Sequence, residues 1–98
     1  MLSAFETRSA RMERHVLFVV QTPVEDVERI LEEVTRHTPL AMGKNYDRNA
    51  FVTSAGIEQY RPVAGAMAGA EEDTRKRPGI VQIQFEVPDD PKLIEVLT

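Results

Sequence analysis

An α+β fold, a split βαβ sandwich with one antiparallel sheet and two helices on one face, is predicted by two observations. The chain runs through a β-branched strand, a proline-marked turn and an amphipathic helix at residues 15–31, and repeats that order at residues 80–97. Its 98 residues, 42% hydrophobic and 29% charged, suffice for one core and no more, so both units must share it. Two strand-to-helix units on one sheet make a ferredoxin-like arrangement, here without its last strand. The organisation read from the sequence is an N-terminal arm, residues 1–14, and a single domain, residues 15–98.

Composition narrows the function classes. With four phenylalanines, two tyrosines and no tryptophan, the core must rest on Val, Ile and Leu. The absence of cysteine removes disulfide scaffolds and thiolate zinc sites, and a cytoplasmic location is expected. The apolar run at residues 16–20 is far too short for a membrane span, and charges interrupt the first dozen residues where a secretory segment would be apolar. No membrane partner is expected. A net charge of −4 and a pI near 5.1 oppose the phosphate-neutralising surface that nucleic-acid binding needs. The one basic cluster, Arg75, Lys76 and Arg77, follows Glu71, Glu72 and Asp73 and reads as a solvated loop.

The elements follow in order. In the arm, Ser3 and Glu6 have capping-box spacing, but Leu2, Phe5 and Met12 form only a thin apolar face. Residues 15–21 are apolar without alternation from Val16 to Val20, which predicts a mid-sheet strand buried on both faces. Thr22, Pro23 and Glu25 then read as N-cap, first helical residue and capping-box partner. Val24, Val27, Ile30, Leu31 and Val34 form one helical stripe, which ends near His37, ahead of Pro39.

Residues 44–61 read as a hairpin: an extended stretch through Tyr46, Phe51 and Val52, a turn at Ser54, Ala55 and Gly56, and a return strand from Ile57. Residues 62–79 show no persistent period and are expected to be a long loop. In residues 80–87, Ile83, Phe85 and Val87 alternate with Gln82, Gln84 and Glu86, a strand with one wetter face. Asp90 and Pro91 then open a second helix of about two turns. A final strand after that helix would cover the first strand. Without one, and unless the N-terminal arm or another subunit covers them, residues 15–21 become an exposed apolar edge, which implies either a truncated segment or a strand supplied by a partner.

The middle of the chain carries a resemblance. Gly43-Lys-Asn-Tyr-Asp-Arg48, Ser54-Ala-Gly56 and Tyr60-Arg-Pro-Val-Ala-Gly-Ala66 resemble, in order, the G-N-Y-D-x, S-x-G and F-R-P-x-x-G-A motifs of the inserted domain of the Nif-three-like family, the GTP cyclohydrolase type-two homologues. That domain also occurs as short stand-alone proteins with a PII/CutA-like fold. The resemblance spans about residues 16–97. This chain departs from the pattern where Lys44 separates Gly43 from Asn45, and where Met67-Ala-Gly-Ala70 replaces P-F-I-G. The resemblance implies a homo-oligomer, a trimer in the PII/CutA manner, with a regulatory rather than catalytic role.

The motif residues allow two readings. In the structural one, Gly43 and Gly56 supply positive φ at strand ends, Gly65 turns the backbone after Arg61 and Pro62, and Asn45 and Asp47 support the motif, Asp47 by holding Arg48 or Arg61. In the functional one, Tyr46, Arg48, Tyr60 and Arg61 line a groove for a subunit or a small anionic ligand, contacts that favour Arg and Tyr. His15 and His37 are the only histidines and lack the spacing of a chelating pair, so no metal site is expected. The acidic pairs read as caps and surface, and no G-x-S-x-G elbow occurs. The sequence thus points to a non-catalytic ligand-sensing or interaction module without a cofactor. The alternative is an accessory segment of a Nif-three-like metal-dependent hydrolase.

Overall fold

A computed structural model describes residues 14–98. The predicted arm, with its Ser3/Glu6 spacing, lies outside the described residues except for Arg14. The chain forms β1 (His15–Pro23), a 3₁₀ turn (Val24–Asp26), α1 (Val27–Thr35), β2 (Phe51–Val52), β3 (Gly56–Tyr60), β4 (Arg75–Pro88) and α2 (Pro91–Leu97). This is a small α+β protein with a four-strand antiparallel sheet and two helices.

The long strand β4 organises the sheet. On one side it pairs with β1 over the full nine residues, from His15 opposite Pro88 to Pro23 opposite Ile80. On its other side it pairs first with β2, Phe51 opposite Gln84, and then with β3, Tyr60 opposite Arg75. Phe51 to Tyr60 is therefore one antiparallel path broken at residues 53–55, and the predicted hairpin is not formed. The break is bridged: Thr53 N–H donates to the Gln82 carbonyl at 3.0 Å, and the Gln82 N–H donates to Thr53 Oγ1 at 2.9 Å. With both segments bonded to β4, Ser54-Ala55-Gly56 offsets a single edge and reverses nothing.

The core lies between this sheet and both helices. Ile83, Phe85 and Val87, on one face of β4, form a cluster with Val34 and Leu40. Val16, Phe18 and Val20 of β1 pack against it, as do Val27, Ile30 and Leu31 of α1 and Leu93, Ile94 and Leu97 of α2. The predicted helical stripe, except Val24, which lies in the 3₁₀ turn and is exposed, and the predicted alternation of β4 thus meet at one interior. Phe18 stacks on its cross-strand partner Phe85 with ring centroids 5.2 Å apart.

Four expectations need correction. β1 is not a mid-sheet strand buried on both faces: it alternates, and among the described residues β4 is its only neighbour. Thr22 and Pro23 do not open α1, because their backbones continue the ladder opposite Val81 and Ile80. The helix starts at Val27 after a 3₁₀ turn, with no side-chain cap from Pro23 or Asp26. Tertiary pairing outweighs a local start signal here. β4 begins at Arg75, so the basic cluster is strand, and the loop is shorter than residues 62–79 by that length. Lastly, Gly56 has no positive φ. The left-handed glycine of the sheet is Gly79 (φ 74°), left unpaired where the register moves from Gly56 opposite Ile80 to Ile57 opposite Pro78. A glycine in that conformation at an extra residue is a G1-type bulge.

The second helix forms as read. Asp90 is extended, its carboxylate accepts from the Lys92 N–H at 3.0 Å, and Pro91 takes the first helical position.

Candidate functional site

The feature that stands out is the uncovered side of β1. Alternation sends Val16, Phe18, Val20 and Thr22 toward the helices and Leu17, Val19 and Gln21 to the opposite, open face. Leu17 is 55% exposed and Val19 51%, and Phe51, opposite Gln84, is 64% exposed on that same face. The wetter row of β4, Gln82, Gln84 and Glu86, lies between them.

The backbone of β1 has a determinable direction. Gln82 directs both its N–H and its carbonyl to Thr53, away from β1. Its cross-strand partner Gln21 is therefore in a non-hydrogen-bonded pair, and so are Val19 and Leu17. The Asp89 N–H donates to the Arg14 carbonyl at 3.2 Å, which independently assigns the even-numbered residues to the bonded pairs. The N–H and C=O groups of Leu17, Val19 and Gln21 accordingly point outward along the edge. Among the described residues no strand meets them.

The residues singled out in the sequence fall in two places. Gly43 (φ 65°), Asn45 and Tyr46 belong to a turn closed by the Met42 N–H donating to the Tyr46 carbonyl at 2.9 Å. Asp47 leads out of it and pairs with neither Arg48 nor Arg61 among the described residues. Arg48 (φ 53°) donates its N–H to the Pro39 carbonyl at 2.8 Å and faces α1. There it lines a recess of about 270 Å³ with Glu28, Leu31, Glu32, Thr35 and Leu40.

Tyr60 and Arg61 lie at the far end of β3, near buried Pro62. The Glu71 N–H donates to the Pro62 carbonyl at 3.1 Å and closes a loop that contains Gly65 (φ 99°). Phe51 and Tyr60 are nine strand positions apart on β4, roughly 30 Å at ~3.3 Å per residue. Tyr46 and Arg48 therefore share no groove with Tyr60 and Arg61. Gly43 and Gly65 have the positive φ the structural reading requires; Gly56 does not.

Arg75, expected in a solvated loop, is paired at the far end. Its guanidinium forks onto the Glu71 carboxylate, Nε to Oε2 at 3.0 Å and Nη2 to Oε1. That hydrogen bond holds the Glu71 carboxyl below its usual value, and Glu71 followed by Tyr60 raises Arg75. A recess of about 210 Å³ lies where β2 gives way to β3, lined by Gln21, Thr53, Ser54, Gly56 and Gln82 among others. It offers hydroxyls, carboxamides and backbone beside Ile57, Ile80 and Val81, and among the described residues Glu58 is its only ionisable side chain.

His15 Nδ1 is 4.0 Å from Glu86 and His37 Nε2 is 3.8 Å from Glu33. Among the described residues no three His, Asp or Glu side chains gather as a metal site would require, and no helix is long and apolar enough to cross a membrane. Comparison with protein-family models, curated proteins and solved structures found no match.

Sequence reasoning read the exposed edge of β1 from the missing last strand, but misassigned its open face as buried within the sheet. Its signal, the unbroken apolar run at residues 16–20, was present, but an apolar strand face waiting for a partner looks the same in sequence as one buried within its own chain.

Proposed function

We propose that this chain is a self-associating interaction or ligand-sensing module of the PII/CutA-like, ferredoxin-like type, acting through contacts rather than catalysis. The observation that carries the reading is the apolar open side of β1, with Leu17, Val19 and Phe51 exposed beside outward-pointing backbone groups. Exposed apolar side chains along an unpaired strand edge, with a polar row beside them, mark an interaction surface. The order β1-β4-β2, with both helices contributing to one core, also supports it, since it follows the first three strands of the split βαβ plan. Glutamines and hydroxyls at the step between β2 and β3 offer a place for a small polar effector.

Native mass spectrometry tests the reading. An assembly of more than one copy, or a retained small molecule, is the expected result. A ligand-free monomer at every concentration overturns it.

A further inference from the structure

The open edge is specific about its occupant. Any strand that covers β1 must present outward-pointing N–H and C=O groups at the spacing of Leu17, Val19 and Gln21, and must meet a stretch with no charged side chain from Val16 to Thr22. Edge strands that are meant to stay single carry lysines, prolines or bulges, and this stretch has none of them. Among the described residues the sheet's other edge cannot supply the match. β2 is two residues long, residues 53–55 interrupt the path, and β3 pairs across the Gly79 bulge. Among the described residues the one straight, uncharged edge is that of β1 itself, from Val16 to Thr22.

We propose that two copies of this chain pair their β1 strands antiparallel about a two-fold axis at Val19, which joins two sheets into one. This rests on the self-association reading above and names its partner and register. Val19 is the middle residue of His15–Pro23, so a dyad there aligns the whole strand with its copy. Leu17 then meets Gln21 of the second copy and Val19 meets Val19, each an outward-pointing residue opposite another, as a hydrogen-bonded antiparallel pair requires. About six backbone hydrogen bonds close. On the helix side Phe18 lies opposite Val20 and Val16 opposite Thr22, extending the half-covered edge of the core into an aromatic and β-branched row. On the open side the Leu17 and Val19 side chains of both copies form one apolar strip. No like charges meet across the strand, and the contact is isologous, so assembly stops at two.

Cysteine trapping and native mass measurement on the full chain test the proposal together. The chain has no native cysteine. A hydrogen-bonded pair has Cα atoms about 5.5 Å apart, within disulfide reach. Val19→Cys is therefore expected to oxidise to a covalent dimer, and Leu17→Cys is not. Val19→Pro removes an outward N–H and no bond to β4, and Val19→Lys sets two ammonium groups face to face. Both are expected to halve the native mass while the far-UV circular dichroism of the fold persists.

A trimer, or a dimer that survives both substitutions, overturns the β1 pairing and leaves the interaction module standing. So does crosslinking through Leu17→Cys in place of Val19→Cys, which would mark another register. A dimer that appears only after residues 1–13 are deleted shows that this segment occupies the edge, and also overturns the pairing. A ligand-free monomer in every form removes the pairing and the reading beneath it.

Discussion

Gly79 has φ 74°, and no atom lies within 4 Å of where a β-carbon would sit, so its constraint is conformational and not spatial. Gly79→Ala is expected to cost about 1–2 kcal/mol, the penalty of an L-residue in the left-handed region. Gly56 has ordinary φ, and its nearest neighbour, the Ile80 carbonyl oxygen at 3.8 Å, is at van der Waals distance. Gly56→Ala should therefore change stability by less than about 0.5 kcal/mol. Urea unfolding of both variants checks the pair, and equal losses would contradict the bulge. The sequence pattern favoured Gly56 because a Ser-Ala-Gly run resembles a turn. What decides the matter is how two strands register on β4, which no local pattern encodes. Glu71 pairs with Arg75 four residues on, where β4 begins. Its folded-state carboxyl lies below the usual range, so the pair favours the folded state at pH above the unfolded value, and that contribution disappears as pH falls through the lowered value. Both groups are exposed, so stability should barely register it. NMR titration should show the Glu71 midpoint returning to the ordinary carboxylate range in Arg75→Gln.

At the level of elements, the chain carries the same start signal twice with different outcomes. Asp90-Pro91 opens α2 as its sequence promises, because among the described residues no strand pairs with that backbone and the Asp90 carboxylate is left to accept from the Lys92 N–H. Thr22-Pro23 has the same form, yet Val81 and Ile80 hold both residues in the sheet and α1 starts at Val27. Capping chemistry is legible only where no tertiary ladder competes for the backbone. Asp90→Ala should accordingly destabilise the protein by about 1 kcal/mol. Asp26→Ala, which loses no cap and only an exposed ion pair with Arg29 at 3.2 Å, should cost less than about 0.5 kcal/mol. Chemical denaturation compares them, and a larger loss at Asp26 would show that its carboxylate caps α1 after all. The stripe of α1 and the alternation of β4 were readable because each is a periodicity within one element that the core then reproduces. The hairpin was not readable, because two short extended runs split by Ser54-Ala55-Gly56 fit either a reversal or a break in one edge.

For the molecule as a whole, apolar side chains are unevenly divided. Among the described residues seven hydrophobic residues are buried, and twelve large ones are exposed. A domain of this length already buries a modest share of its surface, so leaving Leu17, Val19 and Phe51 in water removes stabilisation it can ill spare. Burial against a second copy returns that contribution, and folding then becomes coupled to concentration. For a folded dimer that unfolds to separate chains, each tenfold rise in concentration favours the assembled state by about 1.4 kcal/mol per dimer, roughly half of that per chain. In a domain of about a hundred residues this moves the melting temperature by about 3–5 °C. The contact strip is uncharged, so added salt should leave the shift in place, whereas an interface held by ion pairs would weaken. Val19→Lys should flatten the dependence, because its chains melt as monomers. Melting curves recorded over a hundredfold range of wild-type concentration, at low and high salt, decide the matter. A melting temperature that stays fixed across that range would mean that the exposed face of β1 contributes nothing to holding the fold, and that the small core between the sheet and its two helices sustains the chain alone.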